Sequence, residues 1–221
     1  MKENTADITI ILDRSGSMSS VAKDTIDGFN DFVAKQKKLP VETTLNLIQF
    51  DDDYEVVHDG IPIKEVPLLD EKTFVPRGST ALLDAIGLTI DANGERLALL
   101  PEDQRPAKVV VVIITDGYEN SSTQFNWKEV QERITHQRDT YKWEFLFLGA
   151  NQDAIATAAN VGIRSNSSLS YVSSPEGTYR AFRSTTDSIG RYTTGDSEVA
   201  EFDDSDWEDQ KDAGLDTSPN Q

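Results

Sequence analysis

Two apolar runs lack the polar alternation of a half-exposed strand. One covers residues 8–12 and the other residues 109–114, the latter entirely Val and Ile. Strands of this kind are covered on both faces, as in a parallel sheet flanked by helices. Between them Met18, Val21, Ala22, Ile26, Phe29, Phe32 and Val33 recur at helical spacing, with Lys23, Asp24, Asp27 and Lys35 at the other positions. That pattern predicts an amphipathic helix, closed by Leu39-Pro40. Residues 43–50 and 54–57 predict a strand pair around Asp51-Asp52-Asp53, the one place with a hairpin pattern.

A second helical stretch runs from Thr80 through Leu82, Leu83, Ile86 and Ile90 towards Leu97, weakened by Gly87, Asn93 and Gly94. Beyond the strand at 109–115, the pattern predicts a helix over 126–137, a strand over 143–148 and an Ala-rich helix over 152–159. A strand over 169–172 and a helix over 175–189 follow. Strand and helix alternate almost throughout, which predicts a doubly wound α/β fold. Its sheet would be six-stranded and mostly parallel, with one antiparallel edge strand and helices on both faces. Ligands of such sheets sit beyond the carboxyl ends of the strands, where the strand order reverses.

The chain of 221 residues is long enough to bury a core without disulfides, and it contains no cysteine, which excludes thiolate metal sites and cysteine nucleophiles. Its 39 acidic against 21 basic residues give a formal charge of −18, the wrong sign for direct binding to nucleic acid or an anionic membrane. No stretch reaches the length of a membrane span, and the apolar positions before Asp13 are too few for a signal-peptide core. The expectation is a soluble cytoplasmic protein. Half of the charge lies in residues 196–221, where ten acids and one base give −9. With little apolar content beyond Phe202 and Trp207, this segment reads as a disordered acidic tail, leaving residues 1–195 as one domain.

The chemistry concentrates where the two apolar strands end. After the first comes Asp13-Arg14-Ser15-Gly16-Ser17, a carboxylate and two hydroxyls at alternating positions of a glycine-loosened turn. Alternate oxygen ligands on a tight loop suit a hard cation. The central strand ends in Thr115-Asp116-Gly117, and Gly78-Ser79-Thr80 offers another hydroxyl before a helix. Taken singly, these are also ordinary turn and helix-capping residues.

In this order and strand context the three segments resemble the metal-ion-dependent adhesion site (MIDAS) of von Willebrand factor type A domains, over roughly residues 5–190 and most closely the compact stand-alone members of bacteria and phages. The resemblance implies that Ser15, Ser17 and Thr80 coordinate Mg²⁺ or Mn²⁺ through hydroxyls. Asp13 and Asp116 would complete the site, one or both through water. It further implies a non-enzymatic module in which a partner protein supplies an Asp or Glu to the open coordination position.

Candidate rim residues are Arg14, Arg77, Tyr118, Glu119 and Asn151, with Glu119 expected to face water rather than the metal. Asp51 to Asp53 read as a solvated turn or, alternatively, a second cation site. His58 and His136 lack ligand spacing and read as surface or packing residues.

Two other function classes compete. A metal-dependent phosphoryl-transfer enzyme would use Asp13 as nucleophile, but such phosphatases need a second Asp two positions on, where this chain has Ser15. The acidic tail could instead act as a decoy, mimicking nucleic acid towards a basic protein. A tail carboxylate such as Asp203, Asp204 or Glu208 is also a candidate for the open metal position, in the same molecule or through self-association.

Overall fold

The computed structural model describes residues 1–150 and 154–215. The elements in order are β1 (Lys2–Asp13), α1 (Ala22–Gln36), β2 (Glu42–Phe50), β3 (Tyr54–Pro62), α2 (Leu82–Ala98) and β4 (Pro106–Thr115). They are followed by α3 (Trp127–Tyr141), β5 (Glu144–Ala150), α4 (Ala154–Asn160), β6 (Ser168–Tyr171), α5 (Pro175–Thr194) and α6 (Asp204–Asp212). The six strands form one sheet in the order β3-β2-β1-β4-β5-β6, and the β2–β3 pair alone is antiparallel. Strand order therefore reverses between β1 and β4, the two unbroken apolar runs of the sequence.

Both runs are buried on two faces because alternate residues serve two cores. Val110, Val112 and Ile114 of β4 join Ile8, Ile10 and Leu12 of β1 under α1 and α5. Val109, Val111 and Ile113 face α2, α3 and α4 together with Ile11 and Phe147. The pairing Ile10↔Val112 and Leu12↔Ile114 brings Asp13 and Thr115 to the same end of the sheet. The α1–α5 contact is close: a Cβ on Gly28 would lie 2.5 Å from the Phe182 ring. Gly28→Ala is expected to cost about 2 kcal/mol through overpacking, read as a lower denaturant midpoint at unchanged m-value.

The acidic segment departs from its expected character. Residues 196–215, assigned from composition to a disordered tail, lie folded against the domain; residues 216–221 lie outside the described residues. Ala200 and Phe202 are buried in the α1–α5 core, and Trp207 packs partly buried against it. Asp203 and Asp206 form a capping box at the start of α6. The segment also covers the free edge of β6. The Phe202 N–H donates to the Asn166 carbonyl (2.8 Å), Trp207 Nε1 to the Ser168 carbonyl (3.3 Å) and the Val172 N–H to Gln210 Oε1 (3.4 Å). Arg180 and Arg183 pair with Asp209, and Arg191 with Asp203. Net charge alone predicts disorder; two apolar anchors and three arginines of α5 reverse that outcome. No helix among the described residues is long and apolar enough to cross a membrane.

Candidate metal centre

The switch point between β1 and β4 carries all five predicted ligand residues. Asp13 is fully buried at the end of β1, with both carboxylate oxygens engaged: Oδ1 accepts from the Ser15 N–H (2.6 Å) and Oδ2 from Thr115 Oγ1 (2.6 Å). Ser15 Oγ lies 3.1 Å from Ser17 Oγ, and Ser17 Oγ donates to Asp116 Oδ1 (2.5 Å). Thr80 is buried, its hydroxyl facing Gly117, where a Cβ would come within 2.9 Å of Thr80 Oγ1. Gly117 thus leaves room for that hydroxyl beside Asp116.

Local capping does not account for these hydroxyls. Ser15 stands at the N-cap of the 3-10 turn Gly16–Val21 without a side-chain capping bond. Thr80 precedes α2, whose N-cap is Ala81, also without a capping bond. The first turn of α2 is instead served from the β4–α3 loop: the Leu83 N–H donates to Glu119 Oε2 (2.9 Å) and the Asp84 N–H to Ser122 Oγ (3.0 Å). Asp84 in return accepts the N–H groups of Thr123, Gln124 and Phe125 at 2.8–2.9 Å. Thr80 and Asn120 are tied twice, the Thr80 N–H to Asn120 Oδ1 (2.9 Å) and the Asn120 N–H to the Thr80 carbonyl (3.1 Å). The loops carrying Thr80 and Asp116 are therefore held as one unit.

The electrostatics of the two carboxylates are those of an anionic site short of positive charge. Burial pushes Asp13 up to about 6, against the bonds from Thr115 and Ser15 and with a further push from Asp116. Burial likewise raises Asp116, against its bond from Ser17. Beneath them Tyr171 is buried, its phenol raised well above the ordinary tyrosine value by burial and by the charges of Asp116 and Asp13. Its Oη lies 3.5 Å from the Thr115 carbonyl. Nothing in the sequence separates Tyr171 from an ordinary core aromatic, and it was not among the predicted site residues.

The expected rim is corrected in several places. Arg14 is buried, its Nε donating to Asp51 Oδ2 (3.0 Å) and its Nη1 to Glu55, so it faces the β2–β3 hairpin rather than a ligand. Glu119, expected to face water, is half-buried with its carboxylate spent on the loop: besides Leu83 it accepts from the N–H groups of Ser121 and Ser122 and from the Ser122 hydroxyl. Asp51 is neither a solvated turn residue nor a second cation site, being buried between Arg14 and Arg77. Tyr118 is 65% exposed and Arg77 half exposed beside Thr80, as a rim requires. Asn151 lies outside the described residues. His58 is buried on β3 as a packing residue, and His136 lies at the surface, edge-on against Tyr141. Among the described residues no three His, Cys, Asp or Glu cluster as metal ligands, so a cation here depends on hydroxyls. Asp203, considered as a tail-derived ligand, is used in the α6 capping box and paired with Arg191 in the last turn of α5, at the opposite end of the domain.

No family model and no curated protein matches the sequence. Solved structures do. Proximal thread matrix protein 1 from the mussel byssus, in a structure described as having a zinc-occupied MIDAS motif, superposes with a TM-score of 0.58 at 16% identity, over 84% of this chain and 46% of that one. The vWF domain of the type V pili tip protein Mfa5 from Porphyromonas gingivalis gives 0.57 at 12% identity, over 84% of this chain and 95% of that domain. A von Willebrand factor type A protein from Catenulispora acidiphila gives 0.53 at 17% identity, over 82% and 42%. This chain spans less than half the length of the mussel and Catenulispora chains. Strand order, helices on both faces and these likenesses together show that the chain has the von Willebrand factor type A fold.

Proposed function

We propose that this protein is a divalent-cation-dependent protein-binding module, loaded with Mg²⁺ or Mn²⁺, that captures a carboxylate of its partner. The carrying observation is the convergence of Asp13, Ser15, Ser17, Thr80 and Asp116 at one point of the sheet edge, with both carboxylates raised by burial and three hydroxyls not spent on helix capping. Oxygen donors of this kind fit a hard cation and do not favour a soft one. Ser15, Ser17 and Thr80 would hold it through their hydroxyls. Asp116, partly exposed, adds a carboxylate, while Asp13, whose oxygens hold Ser15 and Thr115, acts by orienting them or through water. With neutral hydroxyls and only two carboxylates as donors, the bound ion retains Lewis acidity for an external Asp or Glu.

The same geometry favours binding over phosphoryl transfer. A buried Asp13 with both oxygens engaged is not presented as a nucleophile. The zinc-occupied MIDAS of the mussel protein supports divalent metal binding on this fold.

The test is affinity capture with the full chain in Mg²⁺ and in EDTA, using wild type and Thr80→Ala. Partners retained in Mg²⁺ and lost both in EDTA and with Thr80→Ala support the reading. An identical set under all conditions overturns it.

A further inference from the structure

Arg14 and Arg77 are the only Lys or Arg within residues 13–21, 76–81 and 116–126, the segments that carry the five candidate ligands. Both guanidiniums donate Nε to the same atom, Asp51 Oδ2, at 3.0 Å from Arg14 and 2.8 Å from Arg77. The Asp51 side chain is 2% exposed and that of Arg14 6%, whereas Arg77 is 55% exposed. Arg14 Nη2 is buried with no hydrogen-bond partner among the described residues, so its charge depends on Asp51 and Glu55. The same turn stitches the Thr80 loop in place. The Ala81 N–H donates to the Asp51 carbonyl (3.1 Å), the Ser79 N–H to Asp52 Oδ2 (3.1 Å) and the Arg77 N–H to the Arg14 carbonyl (2.8 Å). Gly78, at φ +68°, is pressed so close to Asp52 that a Cβ would clash with its carboxylate.

We infer that Asp51 is a positioning residue for the cation site: it sequesters the charges of Arg14 and Arg77 on one buried oxygen and thereby leaves Asp13 and Asp116 without an internal cation competing for them. Had either guanidinium been free to pair with those carboxylates, it would occupy the negative potential that attracts a divalent ion. Arg77 is the member free to reorient, because Arg14 is confined by burial and by Glu55, while the exposed Arg77 without Asp51 keeps, among the described residues, only the ion pair with Asp53 at 3.6 Å. The inference rests on the metal reading above and extends it to a residue outside the coordination set.

The experiment measures Mn²⁺ affinity of the full chain by electron paramagnetic resonance, for wild type, Asp51→Asn, Arg77→Gln and the double variant, each checked first by a melt without metal. Asp51→Asn is expected to weaken Mn²⁺ binding about tenfold, with a steeper dependence on ionic strength. The double variant is expected to return within about threefold of Arg77→Gln alone, since the freed cation is gone. A purely structural role for Asp51 gives no such rescue. A double variant as weak as Asp51→Asn overturns the inference, as does failure of both Asp51 variants to fold. Unaltered affinity in Asp51→Asn overturns it as well. Absence of Mn²⁺ binding by wild type instead overturns the metal reading itself.

Discussion

Phe202→Ala is expected to destabilise the protein by about 3 kcal/mol, the cost of emptying a fully packed aromatic site. For a domain of this size that lowers Tm by roughly 6–12 °C. Phe202 is only 3% exposed and sits in the α1–α5 core with Ala200, anchoring the chain as it enters α6. A disordered tail predicts no change at all, so the measurement separates two descriptions of the same residues. The effect has a second component. Phe202 fixes the register in which its own N–H meets Asn166 and, further on, Trp207 meets Ser168 along the open edge of β6. Loosening that cover exposes unpaired strand edge, so the variant is expected to self-associate when warmed, visible as scattering that precedes the circular-dichroism transition. A melt of Phe202→Ala superimposable on wild type would show that the acidic segment contributes nothing to the fold.

The second large effect is the response to metal. At about a hundredfold excess over its dissociation constant, an ion bound only by the native state stabilises by roughly 2.7 kcal/mol, or about 5–11 °C in Tm here. Asp13→Ala is expected to abolish that response by releasing Ser15 and Thr115. Its pH dependence follows from Asp13. The folded-state value of about 6 lies above the ordinary 3.8, so between these values the folded protein binds more protons than the unfolded chain. Without metal, stability therefore falls as pH rises through that window, by about 3 kcal/mol for a shift of this size, and the cost is fully present above pH 6. A divalent cation opposes it, because metal and proton compete for the same anionic cluster. The Mg²⁺-induced rise in Tm is expected to be full near pH 8 and mostly lost near pH 5. A rise equal at both ends, or none at either, contradicts the site.

How legible each part was depends on how local its cause is. The strands were readable because burial on two faces demands unbroken Val and Ile, and the helices because an apolar stripe repeats at 3.6 residues. The hairpin at Asp51 was readable as a turn, but not its role. Arg14 and Arg77 lie 37 and 26 residues from Asp51, and no short-range pattern announces that two of them share one oxygen of the third. Glu119 was misplaced for the same reason. Its partners include the α2 N–H of Leu83, brought near only when β4 packs beside β1.

The sequence by itself determined the class of fold, the order of its elements from β1 to α5 and the identity of the five oxygen-bearing side chains at the strand ends. Periodicity and composition act over a few residues and survive in any conformation. Only the tertiary structure decided which charges neutralise one another and which remain available. It placed Arg14 and Arg77 on Asp51, left Asp13 and Asp116 among hydroxyls, and folded residues 196–215, of net charge −8, against the domain. The reason is physical. A charge is costly or harmless according to what stands within a few ångströms of it, and that neighbourhood is assembled from distant parts of the chain.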